Sequence, residues 1–153
     1  MNDGPDLRAS PDLRQSEQRF VWPARVYHED TDSAGVVYYA NYLRYFERAR
    51  TEWLRALGFE QTDLAAQHGV VFVVRSIHVE YRLPARFNEM LSISVELGDV
   101  GASQIAMQQR VLRGEDVLVE AVVRLACVNI AAMKPVRIPK LVGTKISQKI
   151  RTI

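Results

Sequence analysis

Residues 27–42 read YHEDTDSAGVVYYANY, and the rest of the chain is organised around them. Three acidic residues, Glu29, Asp30 and Asp32, precede a bend of small residues at 33–35 and then an aromatic run. A carboxylate beside such a bend and a helix start places a base or nucleophile next to unpaired backbone N–H groups. An acyl-transfer site needs both parts. The same residue types also cap helices and fill turns, so the pattern alone leaves both interpretations open.

The residues after this stretch predict a long amphipathic helix over 41–57. Apolar side chains recur at spacings of three and four, and Gly58 is placed to end the helix. Residues 61–69 predict a shorter helix, capped by Thr62 and ended by Gly69. The apolar face of the long helix is formed by Tyr42, Phe46, Ala49, Trp53, Ala56 and Leu57.

Strands are predicted on both sides of the helices. Residues 20–27 are apolar and aromatic, and Pro23 favours an edge strand because proline cannot donate to a ladder. From residue 71 the apolar period becomes two, with Val73, Arg75, Ile77 and Val79 on one face. Three more strands follow at 91–97, 104–113 and 117–130, and the last is apolar on both faces, which indicates a central position. This order predicts an α+β fold in which a curved antiparallel five-stranded sheet wraps one long helix.

Composition predicts one ordinary globular domain. The 153 residues are 48% hydrophobic and 25% charged, with a net charge of +2 that gives no reason to expect a nucleic-acid partner. No apolar run is long enough to span a bilayer, and the N-terminus has no apolar signal region, so a cytoplasmic protein is expected. We predict a flexible leader over 1–18, the folded domain over 19–141 and a basic tail over 142–153, either solvated or contacting an anionic partner.

The residues that commonly bind metals or cofactors are scattered. His28, His68 and His78 lie on three different elements, and the single cysteine, Cys127, sits in an apolar run typical of a core. Neither a nucleophile elbow nor a phosphate-binding glycine-rich loop is present. We therefore expect no metal site.

Several motifs together resemble one known family. They are the Asp30-Thr31-Asp32 run, residues 35–38 (GVVY), residues 46–52 (FERARTE), residues 72–75 (FVVR), residues 79–81 (VEY), residues 84–86 (PAR) and residues 133–140 (MKPVRIPK). The chain resembles the hotdog-fold acyl-CoA thioesterases over residues 26–141, and within them the tol-pal-associated, YbgC-type branch.

This resemblance implies hydrolysis of acyl-CoA thioesters without a cofactor, by subunits that pair into dimers with a shared sheet and often into homotetramers. It implies that Asp32 is the catalytic carboxylate, as general base or as nucleophile, and that the backbone N–H of Tyr39 contacts the oxyanion. Gly35, Val37, Tyr38, Arg75 and Arg86 are the candidate substrate contacts.

The resemblance has one departure and leaves one rival function. Many members of the tol-pal branch have histidine at position 39, whereas the related 4-hydroxybenzoyl-CoA thioesterases have tyrosine, which leaves the substrate preference open. Glu47 is a second candidate carboxylate, because some hotdog thioesterases use a helix glutamate. The rival is a non-catalytic acyl-binding or scaffolding module that contacts acyl carrier protein or the envelope machinery.

Overall fold

The computed structural model describes residues 19–151, with side chains up to residue 148. The elements are β1 (Arg19–Arg25), α1 (Tyr42–Ala56), α2 (Gln61–His68), β2 (Val70–Tyr81), β3 (Met90–Val100), β4 (Gln104–Arg113), β5 (Asp116–Asn129) and α3 (Lys140–Arg151). Two short 3-10 turns, His28–Asp30 and Tyr39–Asn41, lie between β1 and α1. The predicted leader over residues 1–18 lies outside the described residues.

The five strands form one antiparallel sheet in the order β1-β3-β4-β5-β2. Within it β1 lies at one edge and β5 lies inside, as Pro23 and the two-sided apolar run predicted. The sheet packs one face against α1, which contributes Tyr42, Tyr45, Phe46, Ala49, Trp53 and Leu54 to the core. The predicted α+β architecture of a long helix against a five-stranded antiparallel sheet is confirmed.

Two details of the helices differ from prediction. Ala56 is exposed, while Tyr45 and Leu54 are buried, because the buried stripe follows the helical period of 3.6 rather than a strict three-four alternation. Helix α2 begins after Glu60, so Thr62 lies inside the helix and does not cap it. Gly58 and Gly69 end their helices with φ of +98° and +65°, a backbone conformation that glycine adopts without strain.

A bulge in β2 changes which side chains face the core. Val74 pairs with Leu125 and Ser76 with Arg124, so Arg75 has no partner in the ladder. The extra residue reverses the alternation at that point. The prediction that Val73 and Arg75 share a face with Ile77 and Val79 is therefore wrong, and Phe72 packs inward instead.

Helix α3, Lys140–Arg151, covers most of the segment predicted as a basic tail over 142–153. In helix α3, Lys140 and Lys145 are exposed, whereas Val142 and Ile146 are completely buried in the same core as α1. A spacing of four places these two side chains on one helix face. In the described part of the chain, no helix combines the length and apolar character needed to cross a bilayer.

The burial of α3 predicts a measurable contribution to stability. Ile146→Ala should lower the free energy of unfolding by about 2–5 kcal/mol, because it leaves a cavity in the core. Leu141→Ala, on the same helix but 57% exposed, should change it by less than about 0.5 kcal/mol. Urea denaturation of both variants checks this. Equal, small effects would mean that this helix is not docked in solution.

Candidate active site

Asp30 is buried and joins the acidic loop to the start of α1. Its side chain is only 7% exposed, and its carboxylate accepts three hydrogen bonds. The donors are the Tyr27 N–H at 2.8 Å, the Asn41 Nδ2 at 2.8 Å and the Tyr45 hydroxyl at 2.9 Å. The Asp30 carbonyl also accepts the Tyr38 N–H at 2.9 Å. The loop and the helix N-terminus are therefore held together through one residue.

The electrostatics of Asp30 keep it ionised. Burial alone would raise its pKa, but the hydrogen bonds from Tyr27, Asn41 and Tyr45 and the charge of Arg48 outweigh burial, so the pKa is lowered. Burial and the hydrogen bond to Asp30 raise the pKa of the Tyr45 hydroxyl, so this group stays protonated and can donate. The two pKa shifts favour the same state, in which the protonated Tyr45 hydroxyl donates to the ionised Asp30 carboxylate.

Asp32 lies two residues after Asp30 and is exposed, whereas Asp30 is buried. Its side chain is exposed, and its Oδ1 accepts the N–H of Ala34 at 2.8 Å. Its carbonyl accepts the Gly35 N–H at 3.0 Å, and its own N–H donates to the Val36 carbonyl at 2.9 Å. Gly35 has a φ of +81°, which this tight bend requires. No donor within residues 19–148 is bound to Oδ2, so that oxygen faces solvent.

The loop that carries Asp32 is fastened to the segment after β2. Val37 is buried, and its N–H donates to the Ala85 carbonyl at 2.8 Å. Val36 forms a β-bridge with Arg86, and Thr31 forms one with Val37. The bend is thus a fixed structure rather than a free loop, and the Asp32 side chain projects from it.

Tyr39 is the first residue of the 3-10 turn that runs directly into α1. The N–H groups at the start of a helix have no intrahelical acceptor. Among the described residues, nothing accepts the N–H of Tyr39, whereas the preceding N–H of Tyr38 is bound to Asp30. The Tyr39 carbonyl accepts the Tyr81 hydroxyl at 3.0 Å, which fixes the orientation of the turn.

Aromatic rings surround this turn. Tyr39 packs against Tyr38 and Tyr81 with ring centroids 4.9 and 6.2 Å apart, and Tyr42 packs against Tyr81 at 5.8 Å. Tyr38, Tyr39 and Tyr81 are all about half exposed. The Tyr42 hydroxyl is turned inward and accepts the Ala85 N–H at 3.2 Å. The arrangement offers a partly open apolar wall beside a free N–H donor.

The structure brings together most of the predicted site residues. Gly35, Val37, Tyr38 and Arg86 lie in or against the loop of Asp32, next to the turn of Tyr39. Arg75 does not, because it lies on the β2 bulge, roughly 20 Å along the strand from Tyr81. Glu47 lies in the second turn of α1, where it accepts the Thr51 hydroxyl at 2.6 Å and forms no ion pair with a described residue.

Sequence reasoning missed the contributions of Tyr45 and Tyr81. Tyr45 had a signal, because it follows Tyr42 by three residues and so lies on the same helix face. Tyr81 lies in the 79–81 motif that carries the resemblance, but its contact with Tyr39, 42 residues away, had no signal in the local pattern. Among the described residues, no group of three or more His, Cys, Asp or Glu side chains is arranged to hold a metal ion.

Comparison with known proteins identifies the class. The sequence profile of the thioesterase-like superfamily matches residues 26–146. The acyl-CoA thioesterase YbgC of Haemophilus influenzae is 44% identical over 121 residues, covering 79% of this chain and 89% of the relative. The acyl-CoA thioester hydrolase YbgC of Escherichia coli is 45% identical over 130 residues, covering 84% and 96%.

A solved structure agrees. A protein from Bartonella henselae described as a probable thioesterase has a TM-score of 0.76 and 40% identity, covering 79% of this chain and 99% of that one. The chain belongs to the thioesterase-like superfamily and is an enzyme of the thioesterase class. The predicted resemblance to YbgC-type hotdog thioesterases, and the hotdog fold that it implied, are confirmed.

The three hydrogen bonds to the Asp30 carboxylate predict that replacing this residue lowers the stability of the fold. Asp30→Asn replaces one acceptor oxygen with a donor, which leaves a buried N–H or O–H unpaired and should cost about 2–3 kcal/mol of unfolding free energy. Asp32→Asn is the matched control, and its effect should stay within about 0.5 kcal/mol. Chemical denaturation at neutral pH measures both.

The same variant has a predicted pH signature. Because the pKa of Asp30 is lowered on folding, its carboxylate stabilises the fold above the unfolded-state pKa of about 3.9. That contribution is lost as pH falls through the lower folded-state pKa. Below about pH 4, the native protein should therefore lose stability more steeply than Asp30→Asn. Parallel slopes would contradict the ionised, hydrogen-bonded state of Asp30.

Proposed function

We propose that this protein hydrolyses acyl-CoA thioesters to a free acid and coenzyme A, with Asp32 as the catalytic carboxylate. The observation that carries the proposal is an exposed carboxylate on a fixed bend, in the same loop that leads into the free N–H at the start of α1. The names of the H. influenzae and E. coli relatives support the choice of acyl-CoA as substrate.

Asp32 acts as general base in this proposal. Its Oδ1 is held by the Ala34 N–H, which fixes the carboxylate, while Oδ2 is open to a water molecule. That water loses its proton to Oδ2 as it attacks the thioester carbonyl carbon. The C–S bond then breaks, and the thiol leaves as a thiolate without needing a strong acid, because thiol pKa values lie near 8.5.

The N–H of Tyr39 stabilises the charge that develops on the carbonyl oxygen. It combines a free hydrogen-bond donor with the partial positive charge of a helix start. The bond from the Tyr81 hydroxyl to the Tyr39 carbonyl keeps the turn in place, so the donor is oriented before substrate arrives. Because the donor belongs to the backbone, this contact does not depend on whether residue 39 is tyrosine or histidine.

The remaining contacts are assigned by their position. Gly35 leaves the bend without a side chain, Val37 anchors it, and Tyr38 lies at the open aromatic wall, so these three border the reacting carbonyl. Arg86 is exposed beside Val36 and is a suitable cation for coenzyme A phosphates. Arg75 lies too far along β2 to contact the same thioester within one chain.

Pairing of two chains through β2 fits the described surface. β2 is an edge strand of 12 residues, and exposed edge strands offer unpaired N–H and C=O groups to a second strand. Dimerisation along this edge would bring the Arg75 of one subunit near the other subunit. Tetrameric assembly, association with the tol-pal system and an acyl carrier protein partner stay predictions from the resemblance.

Replacing Asp32 tests the carboxylate. Asp32→Asn should reduce thiol release from acyl-CoA by about 10²–10⁴-fold, because the general base is lost while the shape is kept. Asp63→Asn on the exposed face of α2 is the control and should keep native activity. A panel of short, long and aromatic acyl-CoAs should be used. Full activity in Asp32→Asn with loss in Glu47→Gln would move the role to the helix glutamate.

Replacing Tyr39 tests the backbone donor. Tyr39→Pro removes the N–H, and proline suits the first position of a helix after a residue in an extended conformation, as Tyr38 is with ψ of 129°. We expect kcat to fall by about 10²–10³-fold. Tyr39→Ala also lacks the ring but keeps the N–H, so it should retain most of kcat. Equal losses in both variants would assign the effect to the ring instead.

A further inference from the structure

The peptide group that carries the free N–H of Tyr39 has its carbonyl bound within the chain. This carbonyl belongs to Tyr38, and it accepts the Asn41 N–H at 2.8 Å. A carbonyl that accepts a hydrogen bond polarises its own peptide group, which makes the N–H of that group a stronger donor. The Asn41 N–H therefore strengthens the donor that Tyr39 offers to an oxyanion.

The backbone groups on either side of this peptide are also bound. The Tyr38 N–H donates to the Asp30 carbonyl at 2.9 Å, and the Tyr39 carbonyl accepts the Tyr81 hydroxyl at 3.0 Å. Of the four backbone groups of Tyr38 and Tyr39, only the Tyr39 N–H has no partner within the described residues. The direction of this donor is therefore set before it binds anything.

Asn41 connects the peptide group to the buried carboxylate of Asp30. Asn41 is only 8% exposed, and its Nδ2 donates to Asp30 Oδ1 at 2.8 Å and to the Asp30 carbonyl at 3.4 Å. One residue thus binds the acidic loop through its side chain and the Tyr38 carbonyl through its backbone N–H. The side-chain bonds fix the position from which the backbone N–H acts.

Tyr81 connects the same turn to the sheet. It is the last residue of β2 and is paired with Val119 on β5. Its ring packs against Tyr39 and Tyr42, with centroids 6.2 and 5.8 Å away, so its hydroxyl reaches the Tyr39 carbonyl from a fixed direction. Burial raises the pKa of this hydroxyl, as does the neighbouring Tyr39, so the group stays protonated and can donate. The bond lies within one chain and does not depend on what covers the exposed part of Tyr81.

We propose that Asn41 and Tyr81 are positioning residues, which polarise and orient the Tyr39 N–H toward the oxygen of the thioester carbonyl. The assignment rests on the proposed function, in which that N–H is the oxyanion donor. Hydrogen bonds weaken steeply as the angle at the hydrogen falls toward about 120°, so a small rotation of the peptide group removes much of the stabilisation. Because the charge on the oxygen develops in the transition state, the loss should appear in kcat and not in KM.

Tyr81→Phe removes only the hydroxyl and keeps the packing of the ring. We expect kcat for thiol release from an acyl-CoA to fall by about tenfold with KM within about twofold, less than the loss of roughly 10²–10³-fold expected when the donor itself is removed. Asn41→Ala, which removes the side-chain bonds to Asp30, should show the same split between kcat and KM. Thr144→Ala, which removes an exposed hydroxyl from α3, is the control and should keep both constants.

The Tyr39→Pro background separates positioning of the donor from a general effect on the fold. In that background no N–H is left to orient, so Tyr81→Phe and Asn41→Ala should each change kcat by less than about twofold. Equal losses in the native and Tyr39→Pro backgrounds, or native kcat in Tyr81→Phe, would overturn the proposal. Circular dichroism checks that each variant is folded, and Tyr81→Phe decides the outcome if Asn41→Ala does not fold.

The same double-mutant cycle distinguishes failure of the positioning role from failure of the oxyanion donor. A loss of kcat in Tyr39→Pro that simply multiplies with the loss in Tyr81→Phe overturns the positioning role and leaves the donor in place. Native kcat in Tyr39→Pro would overturn the donor and its positioning together, while Asp32→Asn still tests the carboxylate independently.

Discussion

The hydrogen-bonded carboxylate of Asp30 is the interaction on which the site depends. It takes donors from the loop itself, from the 3-10 turn and from the body of α1, so three segments share one acceptor. An ionised group is tolerated at this depth because its lone pairs are satisfied by N–H and O–H groups. Without it, the bend that carries Asp32 and the helix start that carries Tyr39 would lose the buried carboxylate that joins them.

The sheet supplies the second constraint on the site. The segment after β2 holds the loop through Ala85, whose carbonyl accepts from Val37 and whose N–H donates to the Tyr42 hydroxyl. Tyr81, the last residue of β2, reaches the Tyr39 carbonyl from the same side. The end of one strand therefore fixes both the carboxylate loop and the N-terminus of the helix, and this is possible because α1 packs across the sheet face.

The local sequence pattern predicted those features of the fold that depend on residues close together in the chain. The long helix, the hairpin strands and the small-residue bend were readable because their signals lie within a few residues of each other. The β2 bulge was not, since an extra residue leaves the apolar alternation looking continuous across Val73 and Arg75. The docking of α3 was hidden by its lysines, which outnumber the two buried side chains, Val142 and Ile146, that hold it to the core. Contacts such as Tyr81 to Tyr39 depend on the fold and carry no sequence signal of their own.

The two aspartates of the loop, Asp30 and Asp32, have different environments and suit different roles. A 3-10 turn ends at Asp30 and the chain is extended at Thr31, so the two side chains leave in different directions, one inward and one to solvent. Donors that stabilise the ionised form of Asp30 also make it a weak base, because they lower its pKa. In the described part of the chain, only Oδ1 of Asp32 accepts a hydrogen bond, so Oδ2 is the oxygen that takes the proton in the proposed reaction. In the proposed mechanism, the hydrogen bonds that lower the pKa of Asp30 make it unsuited as a base, which leaves the exposed carboxylate of Asp32 for the reaction.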